Sequence, residues 1–338
     1  MDLHLIWFIL VGILLAGYAI LDGFDFGVGA LHLFAKGDEE RRMMLNSIGP
    51  VWDGNEVWLV TSGGAIFAAF PDVYATLASG FYLAVYLLIF SLIFRAIAIE
   101  FRSKQEAAWW RKTWDVAFCL ASILCAILFG VVIGNLIWGI PLGQDKEFQG
   151  TFLSLLNPYA LLTGMTVLSV CMMHGAIYVV MKTEGELHDK ARRWVKNCII
   201  FFVIMYVVQT MATMLYAPHM VERFKENPLL FTVPLAQLLI IANIPREIYH
   251  KQDFLAFLSS CVAIVLFMFL FGFGIFPDMV YSNPGFENSL TIYNASSSPK
   301  TLGIMLIIAL IGMPIVIAYT ISIYWIFRGK VKIDKHSY

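Results

Sequence analysis

Nine stretches of this chain are apolar enough, and about 20 residues long or near it, to cross a bilayer as helices. They run roughly over 3–34, 51–70, 74–98, 114–138, 158–182, 197–217, 228–245, 254–276 and 301–327. Pro50, Pro71, Pro141, Pro158, Pro218, Pro228, Pro245 and Pro277 fall at or near the ends of these runs, where helices break. Pro314 falls inside the ninth run and predicts a kink. The seventh run is the weakest, being short and interrupted by Pro234. Charged residues make up only 14% of the chain, against roughly 25% in soluble proteins. Mean hydropathy is +0.76. The expectation is an all-α, polytopic membrane protein of nine transmembrane helices, a single integral domain over 1–338. Helices one to four (1–138) and five to eight (158–276) form two four-helix bundles, and the ninth (301–327) is extra. The two groups permit a parallel internal repeat in topology, although no residue-level match supports it.

The basic residues test that division. Taking the connecting segments alternately, 19 of the 23 Lys and Arg fall on one side. The positive-inside rule then places the N-terminus outside and the C-terminus in the cytoplasm. The N-terminus shows no basic region and no small-residue cleavage site, so the first run is expected to remain as a helix. Five cysteines, none spaced as CxxC, point to neither a disulfide framework nor a zinc site. A net charge of −1 points to no nucleic-acid partner.

Within these apolar runs sit acids that need a reason. Asp22 and Asp25 lie three residues apart in LDGFDFGVG, and Asp53 and Glu56 three apart in VWDGNEVW, so each pair shares a helix face. A carboxylate in lipid costs at least ~2.5 kcal/mol, and such residues face a bundle interior or a water path. With the orientation above, all four lie toward the cytoplasmic side, as in a half-channel open to the cytoplasm. A plainer reading stands beside it: an interfacial ion-pair cluster, neutralised by Arg95 and Arg102. Seven histidines occur, but only His174 lies well inside a run, and His32 lies near the inner end of the first. A membrane b-type haem usually takes two axial side chains at one depth, so this chain alone is not expected to bind a redox cofactor or a metal. Gly23, Gly27, Gly29, Gly63 and Gly64 are expected where helices approach closely. On residue chemistry alone, the chain either moves protons or serves a protein that does.

Several longer motifs carry a family resemblance. DGFDFGVG (22–29), ERRMMLNSIGPVWDGNEVWL (40–59), GGAIFAAFP (63–71), FR and EFRSK (94–104), NPYALLTG (157–164), TEGELH (183–188) and NASSSPKTL (294–302) resemble subunit II of bacterial cytochrome bd quinol oxidases. The likeness spans nearly the whole chain, though residues from about 200 to 290 share only their hydrophobicity. It implies a terminal oxidase of the bacterial cytoplasmic membrane that oxidises quinol and reduces dioxygen to water. It implies a haem-bearing subunit I that holds two b-type haems, one d-type haem and the quinol. This chain would be its haem-free, pseudo-symmetric partner, with room in the complex for a small single-helix subunit and a bound quinone. The resemblance places Asp53 on a proton path from the cytoplasm and Trp58 beside a hydrophobic route for dioxygen. Some members carry Gln in place of Glu56, so that carboxyl is not essential across the family. Two rivals are a proton-coupled secondary transporter, which would break helices near the midplane in both halves, and a scaffold without any part in the chemistry.

Overall fold

The protein is described here by a computed structural model covering residues 2–226 and 228–333. Helix α1 (Leu3–Leu31) leads into a short amphipathic α2 (Gly37–Ile48), followed by α3 (Trp52–Ala69), α4 (Pro71–Gly80) and α5 (Tyr82–Phe101). Then come α6 (Ala108–Trp138), α7 (Pro158–Lys182), α8 (Gly185–Tyr216), α9 (His219–Glu226), α10 (Thr232–Tyr249), α11 (Asp253–Ile275) and α12 (Pro299–Ile326). Eight helical segments are long and apolar enough to span a bilayer, and α3 with α4 supplies a ninth candidate. The fold is therefore all-α and polytopic.

The run at 158–182 coincides with α7, and most others agree to within a few residues. Three departures have physical causes. Helices α6 and α8 begin at Ala108 and Gly185, well before 114 and 197, because a helix continues into water where the apolar signal stops. The third run, 74–98, is not one helix. Pro71 opens α4, which meets α3 at 119°, and the chain breaks again at Phe81 before α5 runs on to Phe101. The segment 35–49, read as a loop, contains α2: acids Asp38, Glu39 and Glu40 occupy its first turn, where the helix dipole favours negative charge. Pro245 lies inside α10 rather than at its end. Pro314 is inside α12.

Helix α7 is the axis of the molecule. It is buried along 72% of its most apolar window, against 6% for α12, and packs against α1, α6, α8 and α11. Glycines make this possible. A Cβ on Gly27 would fall 1.8 Å from the Cys171 carbonyl oxygen, and one on Gly175 would fall 2.5 Å from Gly27, so α1 and α7 cross backbone to backbone. Gly130 and Gly134 bring α6 equally close to Gly164 and Ala160. Gly29 meets Ser122, as expected of a close approach. Gly63 and Gly64 do not: among the described residues nothing lies within 4 Å of a Cβ there. Gly23 makes only ordinary contact.

The 277–300 segment closes the end opposite the basic loops. Strands β1 (Asp278–Val280) and β2 (Leu290–Thr291) pair antiparallel. Ser297 then donates its N–H to the Ala69 carbonyl (2.8 Å) and its hydroxyl to the Ala68 carbonyl (2.6 Å). Those are C-terminal carbonyls of α3 left unpaired by the turn into α4.

Candidate functional site

Four of the acid and base residues singled out in the sequence meet where α1, α3 and α5 converge. Arg95, on α5 and fully buried, donates Nη1 to Asp22 Oδ1 at 2.6 Å and Nη2 to Glu56 Oε1. Its guanidinium lies 4.5 Å over the Phe26 ring, which adds a cation–π contact. Asp25, also fully buried, reaches the same cluster by another route. Asn55 donates Nδ2 to Asp25 Oδ2 (2.7 Å) and to the Leu21 carbonyl (3.0 Å), while Tyr324 on α12 donates its hydroxyl to Asn55 Oδ1 (2.8 Å). Asp22 Oδ2, Asp25 Oδ1 and Arg95 Nε have no hydrogen-bond partner among the described residues. Three carboxyls thus share one guanidinium inside the bundle. Such an excess of buried negative charge is costly unless it is compensated.

Asp53 is not drawn into this network. It sits in the first turn of α3, is exposed, and makes no hydrogen bond or ion pair among the described residues. Glu56, one turn on, has its side chain 24% exposed, so the network opens to the surface through α3.

Arg102 belongs to a second cluster. Seven residues beyond Arg95, it stands about 10 Å further along the helix direction at 1.5 Å per residue. It binds Asp115 through Nε and Nη2 and Asp38 through Nη2. His32 Nε2 joins Asp115 at 2.6 Å, Arg41 joins it at 2.8 Å, and Arg111 binds Asp38 at 2.9 Å. The expectation joined four acids to Arg95 and Arg102; instead Asp22 and Glu56 bind Arg95 with Asp25 near them, Asp53 stands outside, and Arg102 binds Asp38 and Asp115. Arg95 lies within α5 and Arg102 just beyond its end, so each arginine holds its own group.

Sequence reading missed Asn55, Tyr324, Phe26 and the His32–Asp115–Asp38 group. Asn55 had a signal, being a polar residue between two singled-out acids. Tyr324, 269 residues from Asn55, had none.

Trp58 packs its ring directly on Gly17, where a Cβ would lie 2.4 Å from it. It lines a crevice of about 230 Å³ between α1, α3 and α12, together with Ile20, Leu21, Ile317, Thr320 and Ile321. The crevice walls are almost wholly apolar.

The two buried histidines differ in their partners: His32 keeps Nδ1 without a hydrogen-bond partner among the described residues, whereas His174 does not. His174 uses both ring nitrogens, Nδ1 pairing with Ser260 Oγ (2.7 Å) and Nε2 with the Ile20 carbonyl (3.0 Å), and stacks on Phe257. His32 is held by Asp115 in a different cluster. No group of three or more metal-ligating side chains occurs among the described residues.

A bundle of spanning helices around buried carboxylate–guanidinium networks defines an integral membrane protein whose charged chemistry lies within its helices. Comparison with known proteins narrows this. The family model for cytochrome bd terminal oxidase subunit II matches residues 3–327, and the chain belongs to that family. It is 36% identical to cytochrome bd-I ubiquinol oxidase subunit 2 of Escherichia coli (strain K12), over 97% of this chain and 95% of that one. It is also 36% identical to cytochrome bd ubiquinol oxidase subunit 2 of Bacillus subtilis (strain 168), over 98% and 97%. The solved structure of the bd oxidase from Geobacillus thermodenitrificans shares the fold, with a TM-score of 0.79 at 16% identity over 97% of this chain and 98% of that one. The chain is thus a subunit of an oxidoreductase complex that contains haem, and the secondary-transporter alternative is not favoured.

Proposed function

We propose that this chain is the haem-free subunit II of a quinol:dioxygen oxidoreductase in the bacterial cytoplasmic membrane. Its larger partner, subunit I, holds two b-type haems and one d-type haem and oxidises the quinol. This chain supports that subunit and supplies part of the route by which cytoplasmic protons reach it. The observation that carries the proton reading is the buried Asp22–Arg95–Glu56 network opening through half-covered Glu56 beside exposed Asp53. The N-terminus lies outside and the C-terminus in the cytoplasm. In support, the basic segments are joined at one end of the bundle: Arg102 to Asp115, Lys190 to Glu40, Arg192 to Asp253 and Val331 to Lys182. Trp58 and its apolar crevice then form a route for dioxygen from the lipid.

Asp53→Asn tests the reading. It keeps the side chain's shape and removes the titratable group, at a position with no structural partner in this chain. The assembled, haem-replete complex should turn over at least ~10-fold more slowly, the usual scale of an acid–base contribution. Asp22→Asn and Glu56→Gln should have smaller effects. Unchanged turnover of the Asp53 variant would show that protons travel elsewhere. Loss of assembly would make Asp53 a contact residue instead.

A further inference from the structure

At the end of the bundle that carries the basic loops, a second crevice of about 290 Å³ opens between three pieces of chain. These are the turn from α2 into α3 (Asn46, Ser47, Pro50, Val51), the end of α7 (Tyr178, Lys182), and the segment after α12 (Phe327, Gly329, Lys330, Val331, Lys332). Among the described residues, three lysines line it and no carboxylate does. Lys182 is 8% exposed, and its ammonium donates to the carbonyls of Phe327 and Gly329. Lys330 donates to the carbonyls of Val180 (3.3 Å) and Thr183 (3.1 Å). All four acceptors are neutral. Each ammonium has three donors, so both lysines retain one.

Capping α7 does not account for this arrangement. A helix C-terminus presents about half an elementary negative charge, whereas the crevice gathers three positive charges. The crevice also reaches Val51, where α3 begins without a side-chain cap; Asp53 in that first turn offsets part of the helix dipole.

We infer that this crevice binds a phosphate-bearing anion, and that its occupant is the headgroup of an anionic phospholipid. The walls favour a lipid over a free anion. Val51, Ile326, Phe327 and Val331 supply an apolar half beside the lysines. Next to it, exposed Trp325 lies under the Arg328 guanidinium at 4.0 Å, an aromatic and basic pairing suited to the membrane–water boundary. Val331 donates its N–H to the Lys182 carbonyl (2.8 Å), so the same segment that carries Lys330 and Lys332 is tied to α7. A bound headgroup would fasten it from the lipid side.

The test uses the purified complex in mild detergent, with retained lipid counted by native mass spectrometry. Wild type should keep phosphatidylglycerol. After delipidation it should take that lipid back from phosphatidylglycerol nanodiscs and not from phosphatidylcholine ones. Lys330→Gln with Lys332→Gln should weaken retention about fivefold per lysine, the contribution of one basic side chain at an anionic surface, with haem content unchanged. Lys332→Gln alone is the safeguard, because Lys332 is exposed and its loss removes no hydrogen bond seen in the described chain. Displacement of phosphatidylglycerol by millimolar inorganic phosphate would assign the site to a free anion and refute the lipid. Equal retention in every variant, equal uptake of phosphatidylcholine, or carbodiimide cross-linking of Lys330 to a partner-chain carboxylate would overturn the proposal.

Discussion

Replacing Arg95 by Met is the most informative single change. Arg95 and Asp22 are both fully buried, and the pair ties α5 to α1 inside the helix bundle. Two buried charges lose their hydration, so the pair itself adds little net stability. Removing one partner is different. It leaves Asp22 buried beside Asp25 with no cation on the described chain at hydrogen-bonding distance, and uncompensated buried charge of this kind costs about 3–5 kcal/mol. Glu56 loses its partner as well but can turn toward the surface, since its side chain is 24% exposed. Asp22→Asn should be milder, because Arg95 keeps Glu56. The double variant, Arg95→Met with Asp22→Asn, should recover much of the loss by removing the stranded charge. The assay is the denaturation midpoint and yield of the purified complex for all four members of the cycle. The expected order is wild type, then the double variant and Asp22→Asn close together, and Arg95→Met last, with a coupling of ~2 kcal/mol or more. Strictly additive losses, or wild-type stability of Arg95→Met, would falsify the argument that charge compensation holds this site together.

Two further predictions concern the end of the bundle that carries the basic loops. A reporter fused after Lys332 should read cytoplasmic and one inserted at Gln149 external; a cytoplasmic reading at Gln149 would break the proposed orientation. Burial pushes the Glu40 carboxyl up, but the Lys190 ammonium, the Lys36 N–H and the Lys36 charge outweigh it and hold the group below its usual 4.5. A lowered carboxyl adds stability above its ordinary pKa and loses it on acidification. Protection of the α2 amides, taken relative to the intrinsic exchange rate at each pH, should therefore fall as pH drops below 4.5, and Lys190→Met should flatten that dependence. An unchanged pH profile in the variant would show that the pair does not hold α2.

Much of this was legible in the sequence because a bilayer imposes one strong rule, a run of apolar residues per span. That rule finds α7 without error and fails where its premise lapses. Helix α2 is half polar and lies across the end of the bundle, held there by Met44, Leu45 and Ile48, so no apolar run announces it. The α3–α4 turn was marked by Pro71, yet a proline shows that a helix ends and not which way the chain leaves. Glycines were recognisable as contact residues only by type. Gly27 and Gly63 look alike in sequence, and only the packing of α7 against one and of no described residue against the other separates them. The acids were found because each is anomalous in its own run. That Arg102 pairs with Asp115 and Asp38 instead of these acids was hidden, because it depends on how the ends of α5, α6 and α2 meet.

The two ends of the Arg95 network are built differently, and the difference bears on what it can do. Toward the interior, Asp22 and Asp25 have no exposure, and Asn55 and Tyr324 lock the second of them to α12. Toward the surface, Glu56 is half-covered and its neighbour Asp53 is open. Arg95 therefore holds one acid that cannot leave and one that can. If Glu56 takes up a proton and releases the guanidinium, Arg95 still has Asp22 at 2.6 Å, so α5 stays anchored while the outer carboxyl changes state. A single ion pair could not divide the work in this way, since protonating its only acid would strand a buried cation. Under the proposed function this separates the part of the network that holds the bundle from the part that exchanges protons.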